Sequence, residues 1–378
     1  MVTIPYKPRT LIFSQRNIFT RALFRCSLYE FENIISEIDS VDLLAPHADI
    51  STFRYSLAKI LAYHAPIALA PDRTRIHLKA DYDLFLAICG APRDLLMLKA
   101  VSNWRERCKT AVCLIDELWV KQLDDLRYFL APLKHFDVVM LYYSNTVKPL
   151  SERIGTKCVF LPPGVDSIRF CPYPRSPQRV VDVCSIGRRS ETTHRRLLRM
   201  ADEEGLFYFH DTIGGDQAIN STEHRAFMAN VAKRSRYFIV NPGLIDRPDI
   251  RGNQVEIGNR YFEGSASGAI LLGERPGNEV FGRLFDWPDS LIHLPYDSTE
   301  VDEIIHELDM QPERQETIRR TNVAQALLRH DWVYRWESIL ETVNLEPMPQ
   351  LAKRKERLRS RSEVVTGSGF AARHITTS

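Results

Sequence analysis

The chain has 378 residues, 44% of them hydrophobic and 26% charged, and its 50 Lys and Arg are almost balanced by 48 Asp and Glu. The near-neutral balance excludes a protein that holds nucleic acid by bulk positive charge, and the length suffices for two domains of ordinary size. No run of about 18 uncharged apolar residues occurs and the start, MVTIPYKPRT, has no apolar signal core, so a cytoplasmic protein without a membrane span is expected.

In chain order, short apolar β runs alternate with amphipathic helical stretches. In the first half the predicted strands are 10–13, 41–45, 82–89, 110–115, 136–142 and 157–161, with helical patterns at 20–38, 92–107 and 121–133. Such alternation predicts a parallel sheet covered on both faces. After Pro162-Pro163-Gly164-Val165-Asp166 the character resets, and 171–178, rich in Pro and polar residues, reads as a linker. The pattern then restarts with strands at 180–186, 206–210, 237–240, 269–272 and 290–294. Helices are predicted at 192–204, 223–234, 259–267, 298–308, 312–328 and 332–343. The fold class expected is α/β, two Rossmann-like doubly wound domains facing across a cleft. The boundaries are 1–170 for the first domain, 171–178 for the linker, 179–330 for the second domain and 331–350 for a closing helix returning to the first. Residues 351–378 carry seven Lys and Arg against two Glu and read as a basic, disordered tail. That tail is either a solvated end or a patch attracted to anionic lipid head groups, which would place the protein at a membrane surface. The seven cysteines, an odd number without C-x-x-C spacing, read as reduced core thiols.

Asn259 to Gly268, NRYFEGSASG, is the most informative segment: small residues around one carboxylate, Glu263, describe a short, tightly packed helix whose backbone another molecule can approach. Glu263, Ser265, Ala266, Ser267 and Gly268 resemble the E-A-x-A-x-G-like segment of the GT-B glycosyltransferases of the group 1 superfamily, of the family 4 type and the branch named for a spore maturation protein. Three further segments, in the family's order, support the resemblance. Leu161-Pro-Pro-Gly-Val-Asp166 with Phe170 and Pro172 is similar to the exit from the first domain. Val181 to Arg188 is similar to the strand and turn opening the donor domain, and His330-Asp331-Trp332 with Arg335 to the closing H-x-W...R helix. The resemblance covers about residues 136–342.

The resemblance implies transfer of a sugar from a nucleotide-diphosphate sugar to an unknown acceptor, a polysaccharide, glycolipid or protein, with retention of configuration and without a metal or other cofactor. It implies that Glu263 grips the ribose hydroxyls while helix N-terminal amides face the diphosphate. The family's earlier Glu, credited with a contact to the donor sugar, would fall at 255, which is Val; the nearest carboxylate, Glu256, is the catalytic candidate in its place, and Gly258 falls where the family's Gly falls. Arg188, with Gly187 at a strand-to-helix turn, is placed to meet the diphosphate. Arg260, three residues before Glu263, either pairs with it or reaches a phosphate. Asn259 and Asn241, the latter directly after a strand, complete the donor set, with the turn at Gly214 for the nucleobase. Arg247 and Arg251, in a long loop, are further cationic candidates. Glu117, with Asp116 after the strand ending at 115, and His47 are placed for acid–base chemistry or for capping. Asp81-Tyr82-Asp83 has a D-x-D pattern but precedes its strand, so no metal site is expected. The alternatives are a non-catalytic partner that keeps the cleft, or a sugar-nucleotide epimerase.

Overall fold

A computed structural model of the chain describes residues 8–18, 22–46, 57–58, 60–61, 63–64, 75–212 and 220–367. Two all-parallel sheets organise it. The first runs in the order β2 (Val41–Leu44), β1 (Thr10–Phe13), β3 (Tyr82–Cys89), β4 (Cys108–Ile115), β5 (Val138–Leu141), β6 (Lys157–Phe160). The second runs β11 (Ile292–His293), β10 (Ile270–Gly273), β9 (Ser235–Val240), β7 (Val181–Ser185), β8 (Tyr208–His210). β3 and β4 read YDLFLAIC and CKTAVCLI and are buried almost end to end, as strands covered on both faces must be. Strand order reverses beside β1 in the first sheet and beside β7 in the second, and such switch points open a crevice at the carboxyl ends of the strands.

The helices of eight residues or more among the described residues are α1 (Cys26–Ile38), α2 (Val147–Ile154), α3 (Glu191–Glu204), α4 (Ser221–Arg234), α5 (Asn259–Ser267), α6 (Val301–Asp309), α7 (Pro312–Arg329), α8 (Trp332–Thr342) and α9 (Pro349–Thr366). The segment 92–107, expected as a helix, is a 3-10 stretch only over Pro92–Ala100, and 121–133 breaks into single turns at Val120–Gln122, Arg127–Leu130 and Ala131–His135. Pro132 cannot donate to a preceding turn, which accounts for one of these breaks.

Each sheet has a core on both faces, and one of these cores is shared. Ile12, Phe31, Leu86 and Met140 of the first domain pack with Leu327 of α7, Trp332 and Trp336 of α8 and Leu358 of α9. The Phe31 and Trp332 rings stack with centroids 4.8 Å apart. A Cβ at Gly164 would lie 2.6 Å from the Trp332 ring, so glycine is required where the chain leaves the first domain.

The basic tail expected from 351 onward is corrected here, because residues 351–366 belong to α9. Leu351, Arg354, Leu358, Ser362 and Val365 form its buried stripe. The Arg354 guanidinium donates to Asp331 (2.8 Å) and Asp166 (2.8 Å), and Lys355 pairs with Glu337 (2.7 Å). Part of the positive charge is therefore neutralised inside the fold. Residues 368–378 lie outside the described residues.

Candidate functional site

The cleft between the carboxyl ends of the two sheets holds about 750 Å³. Its second-domain wall begins at the turn after β7. Gly187, at φ +97°, adopts a conformation that favours glycine, and its N–H donates to the Asp211 carboxylate (2.9 Å). Arg188 reaches into the cleft from an exposed position and pairs with both oxygens of Asp246 (3.0 and 2.9 Å). Asn241 follows β9 and also lines the cleft.

The N-terminus of α5 points into the same space. Gly258 is its N-cap, and a Cβ there would meet the Asn241 carbonyl at 3.3 Å. Asn259 donates across the cleft to Ser27 Oγ (3.2 Å). Gly268, at φ +67°, ends the helix in the left-handed conformation. The small residues between serve the helix's packing, not ligand approach: a Cβ at Gly264 would lie 2.4 Å from Leu271 Cδ2, so the helix sits directly on β9 and β10.

Glu263 lines the cleft, yet it is 1% exposed and both its oxygens are engaged. Arg225, on α4, donates to one and Arg260 to the other. Burial alone would push the carboxyl up; Arg260 and Arg225 outweigh it and hold Glu263 at about 2. Of the two expectations for Arg260, pairing is the one observed. Arg225 also donates to both oxygens of Glu30 on α1 (2.8 and 3.1 Å). Glu30 in turn accepts from Trp332 Nε1 (2.9 Å) and the Asp166 N–H (2.9 Å). Although burial works against its charge, Arg225 is held well above the usual range by Glu30 and Glu263, so it stays charged. A chain Glu30–Arg225–Glu263–Arg260, buried except for half-buried Arg260, therefore joins the two domains at the wall of the cleft. Neither Glu30 nor Arg225 was singled out by the sequence reading. For Glu30 the available signal was its place, like that of Glu32, between the apolar residues Leu28, Tyr29, Phe31, Ile34 and Ile35 of α1.

Glu256, expected at the donor, does not line the cleft, and this is a correction. Its carboxylate accepts from the Ser144 and Asn145 N–H groups (3.1 Å each) and from Gln254 (2.8 Å), fastening the second domain to the loop after β5. Burial pushes its carboxyl up while these donors oppose the shift. Arg247 pairs with its neighbour Asp249, and Arg251 donates to the carbonyls of Gly252 and Gln254; neither lines the cleft. Gly214 and His47 lie outside the described residues. Among the described residues no three His, Cys, Asp or Glu side chains gather into a group that could hold a metal ion. Among the described residues no helix is long and apolar enough to cross a membrane.

The first-domain wall carries Phe24, Asp116, Glu117 and Tyr143. Glu117 accepts from Trp119 Nε1 (2.8 Å). Asp116, directly after β4, accepts no hydrogen bond among the described residues; burial, then the Glu117 charge, push it up to about 8.

Residues 188–341 match the model of a family described as glycosyl transferase-like. None of the curated proteins matches the chain. Among solved structures, the chain is similar to Anabaena HepE in complex with UDP, at 13% identity and a TM-score of 0.50, over 89% of this chain and 99% of that one. The complex of the same Anabaena protein with UDP and glucose gives 11% identity and a TM-score of 0.51 over the same shares. A glycosyltransferase from Rickettsia africae is similar over 90% of this chain and 98% of its own, at 11% identity and a TM-score of 0.46. Two parallel α/β domains facing across a cleft, alike in arrangement to the Anabaena protein along nearly its whole length, give this chain the GT-B fold.

Proposed function

We propose that the protein is a glycosyltransferase that takes a sugar from a nucleotide-diphosphate donor held against the second-domain wall. The observation that carries the reading is the convergence on one cleft of the α5 N-terminus, Arg188 and the Arg260–Glu263 pair. A diphosphate leaving group gathers negative charge as the bond to the sugar C1 breaks, and preorganised cations and backbone N–H groups stabilise that charge where it develops. The match of residues 188–341 to a glycosyl transferase-like model supports the same assignment, as do the UDP complexes of a protein with this fold. Arg188 is suited to a phosphate because its present partner, Asp246, is exposed, so exchanging one anion for another costs little desolvation. The guanidinium groups supply the positive charge, and the reading requires no metal.

The test is a thermal-shift panel with UDP, GDP, ADP, dTDP and their common sugar conjugates. One nucleotide at about 100 times its Kd should stabilise the protein by about 2.7 kcal/mol. Arg188→Ala removes a charge-assisted hydrogen bond worth about 1.5–3 kcal/mol and should weaken that nucleotide by roughly 10- to 100-fold. Arg188 is the better probe than Glu263, whose removal would take one counter-charge from buried Arg225 and the carboxylate partner from half-buried Arg260 and so destabilise the fold itself. No shift with any nucleotide would sink the reading and favour a non-catalytic partner. Conversion of a sugar nucleotide without acceptor would make the protein an epimerase.

A further inference from the structure

We propose that the acceptor is an uncharged sugar, held on the first-domain wall with one face of its ring against Phe24 and its hydroxyls turned to Asp116 and Glu117. The proposal rests on the donor-site reading above and names the acceptor class which that reading leaves open.

Phe24 is a large aromatic side chain left 52% exposed where it lines the cleft. It is held in place from behind: the Arg25 guanidinium lies over the ring at 5.1 Å, and Arg25 is itself fixed by both oxygens of Asp94 (2.6 and 2.8 Å). The two carboxylates stand close by. A Cβ at Gly90 would lie 3.0 Å from the Arg25 guanidinium carbon, and the Gly90 carbonyl accepts from the Glu117 N–H (3.1 Å). An exposed, preorganised aromatic ring beside carboxylates matches the two surfaces of a sugar, an apolar C–H face and a rim of hydroxyl donors. Glu117 gives one oxygen to Trp119 Nε1 (2.8 Å) and keeps the other for this purpose. Asp116, pushed up to about 8, holds its proton near neutrality and so both donates to and accepts from a hydroxyl.

Charge decides between a sugar and other acceptors. Arg188, Arg225 and Arg260 lie on the second-domain wall, and among the described residues no Lys or Arg lines the first-domain wall. An acceptor ending in phosphate, sulfate or a uronic acid would meet carboxyl groups there without a cation to receive it. A cationic acceptor is opposed at the ring, because Arg25 already engages Phe24 with like charge. A neutral ring with hydroxyls to donate meets neither opposition and satisfies the polar rim.

The test presents the labelled full chain, with and without the nucleotide that stabilises it, to an array of oligosaccharides ending in uncharged, anionic or amine-bearing sugars, and titrates the bound ones in solution. Uncharged glycans should bind, and glycans ending in glucuronic acid should not. Phe24→Ala should weaken the bound glycan by about 10-fold or more with the nucleotide Kd unchanged, and Phe24→Tyr should retain the wild-type affinity. Glu117→Gln, which keeps an oxygen for Trp119, should admit the glucuronic acid form of the same glycan, a change that damage to the fold would not produce. Binding confined to anionic or amine-bearing glycans, uncharged glycans that bind Phe24→Ala as well as the wild type, or no glycan bound by a chain that binds its nucleotide would each overturn the proposal. Uncharged glycans held through Phe24 by a chain that binds no nucleotide would instead refute the donor-site reading and leave the sugar site standing.

Discussion

Glu263 shows how far a residue's sequence context can mark a site without describing it. Its place before a run of small residues and a strand was legible, and it does line the cleft. Its partners were not, because Glu30 and Arg225 are separated from it by hundreds and tens of residues, and no local spacing encodes such a meeting. The arrangement carries a pH signature. The folded-state carboxyl is held at about 2 against 4.5 for the free group, so its stabilisation is complete above pH 4.5 and is lost as pH falls through 2. The contribution is about 3 kcal/mol. In denaturant titrations between pH 5 and pH 2, the wild type should therefore lose about that much more stability than Glu263→Gln. At pH 7 the same substitution should cost about 3–5 kcal/mol, because two guanidinium groups lose their buried counter-charge. Parallel acid-stability curves for the two proteins would contradict this account. Glu256 is the contrasting case: near the expected spacing, it is spent on backbone N–H groups of the other domain, outside the cleft.

At the scale of elements, strands were the most legible because both faces of a parallel sheet must be apolar, and runs such as LFLAIC have no alternative use. Helices were legible where the apolar stripe was wide and missed where it was narrow. In α9 the inward positions Leu351, Leu358 and Val365 are only three apolar residues among six Lys and Arg, so composition pointed to a solvated tail. What composition could not show is that Arg354 lies on the inward stripe, where Asp331 and Asp166 meet it. The consequence is measurable. Leu358 is fully buried against the shared core, and Leu358→Ala should cost about 2–5 kcal/mol in chemical denaturation. A loss under about 0.5 kcal/mol, the size expected for an exposed position, would return α9 to the status of an appendage.

For the whole molecule, the division into two sheets is easy to read from the chain, but the two domains are not energetically separate. The chain crosses back through α8, whose Trp332 and Trp336 are buried in a core built largely by the first domain, and Trp336 donates to Asp39 there (2.9 Å). Beneath the cleft, Arg225 of the second domain is bonded to Glu30 of the first. Opening the domains fully would therefore expose apolar core and separate buried charges together, and neither half retains a complete core alone. Unfolding of the wild type should then appear as one transition, with secondary structure and tryptophan fluorescence coincident. Arg225→Leu removes the charge shared by Glu30 and Glu263 and leaves two carboxylates facing each other in the interior. It should cost about 3–5 kcal/mol and loosen the domain contact first. The apolar contacts of α8 remain in that variant, so the first domain should keep its transition while the second melts earlier, splitting the curve. A single transition merely shifted downward would mean that α8 and α9 alone hold the domains together; two transitions already in the wild type would mean that the shared core does not couple them.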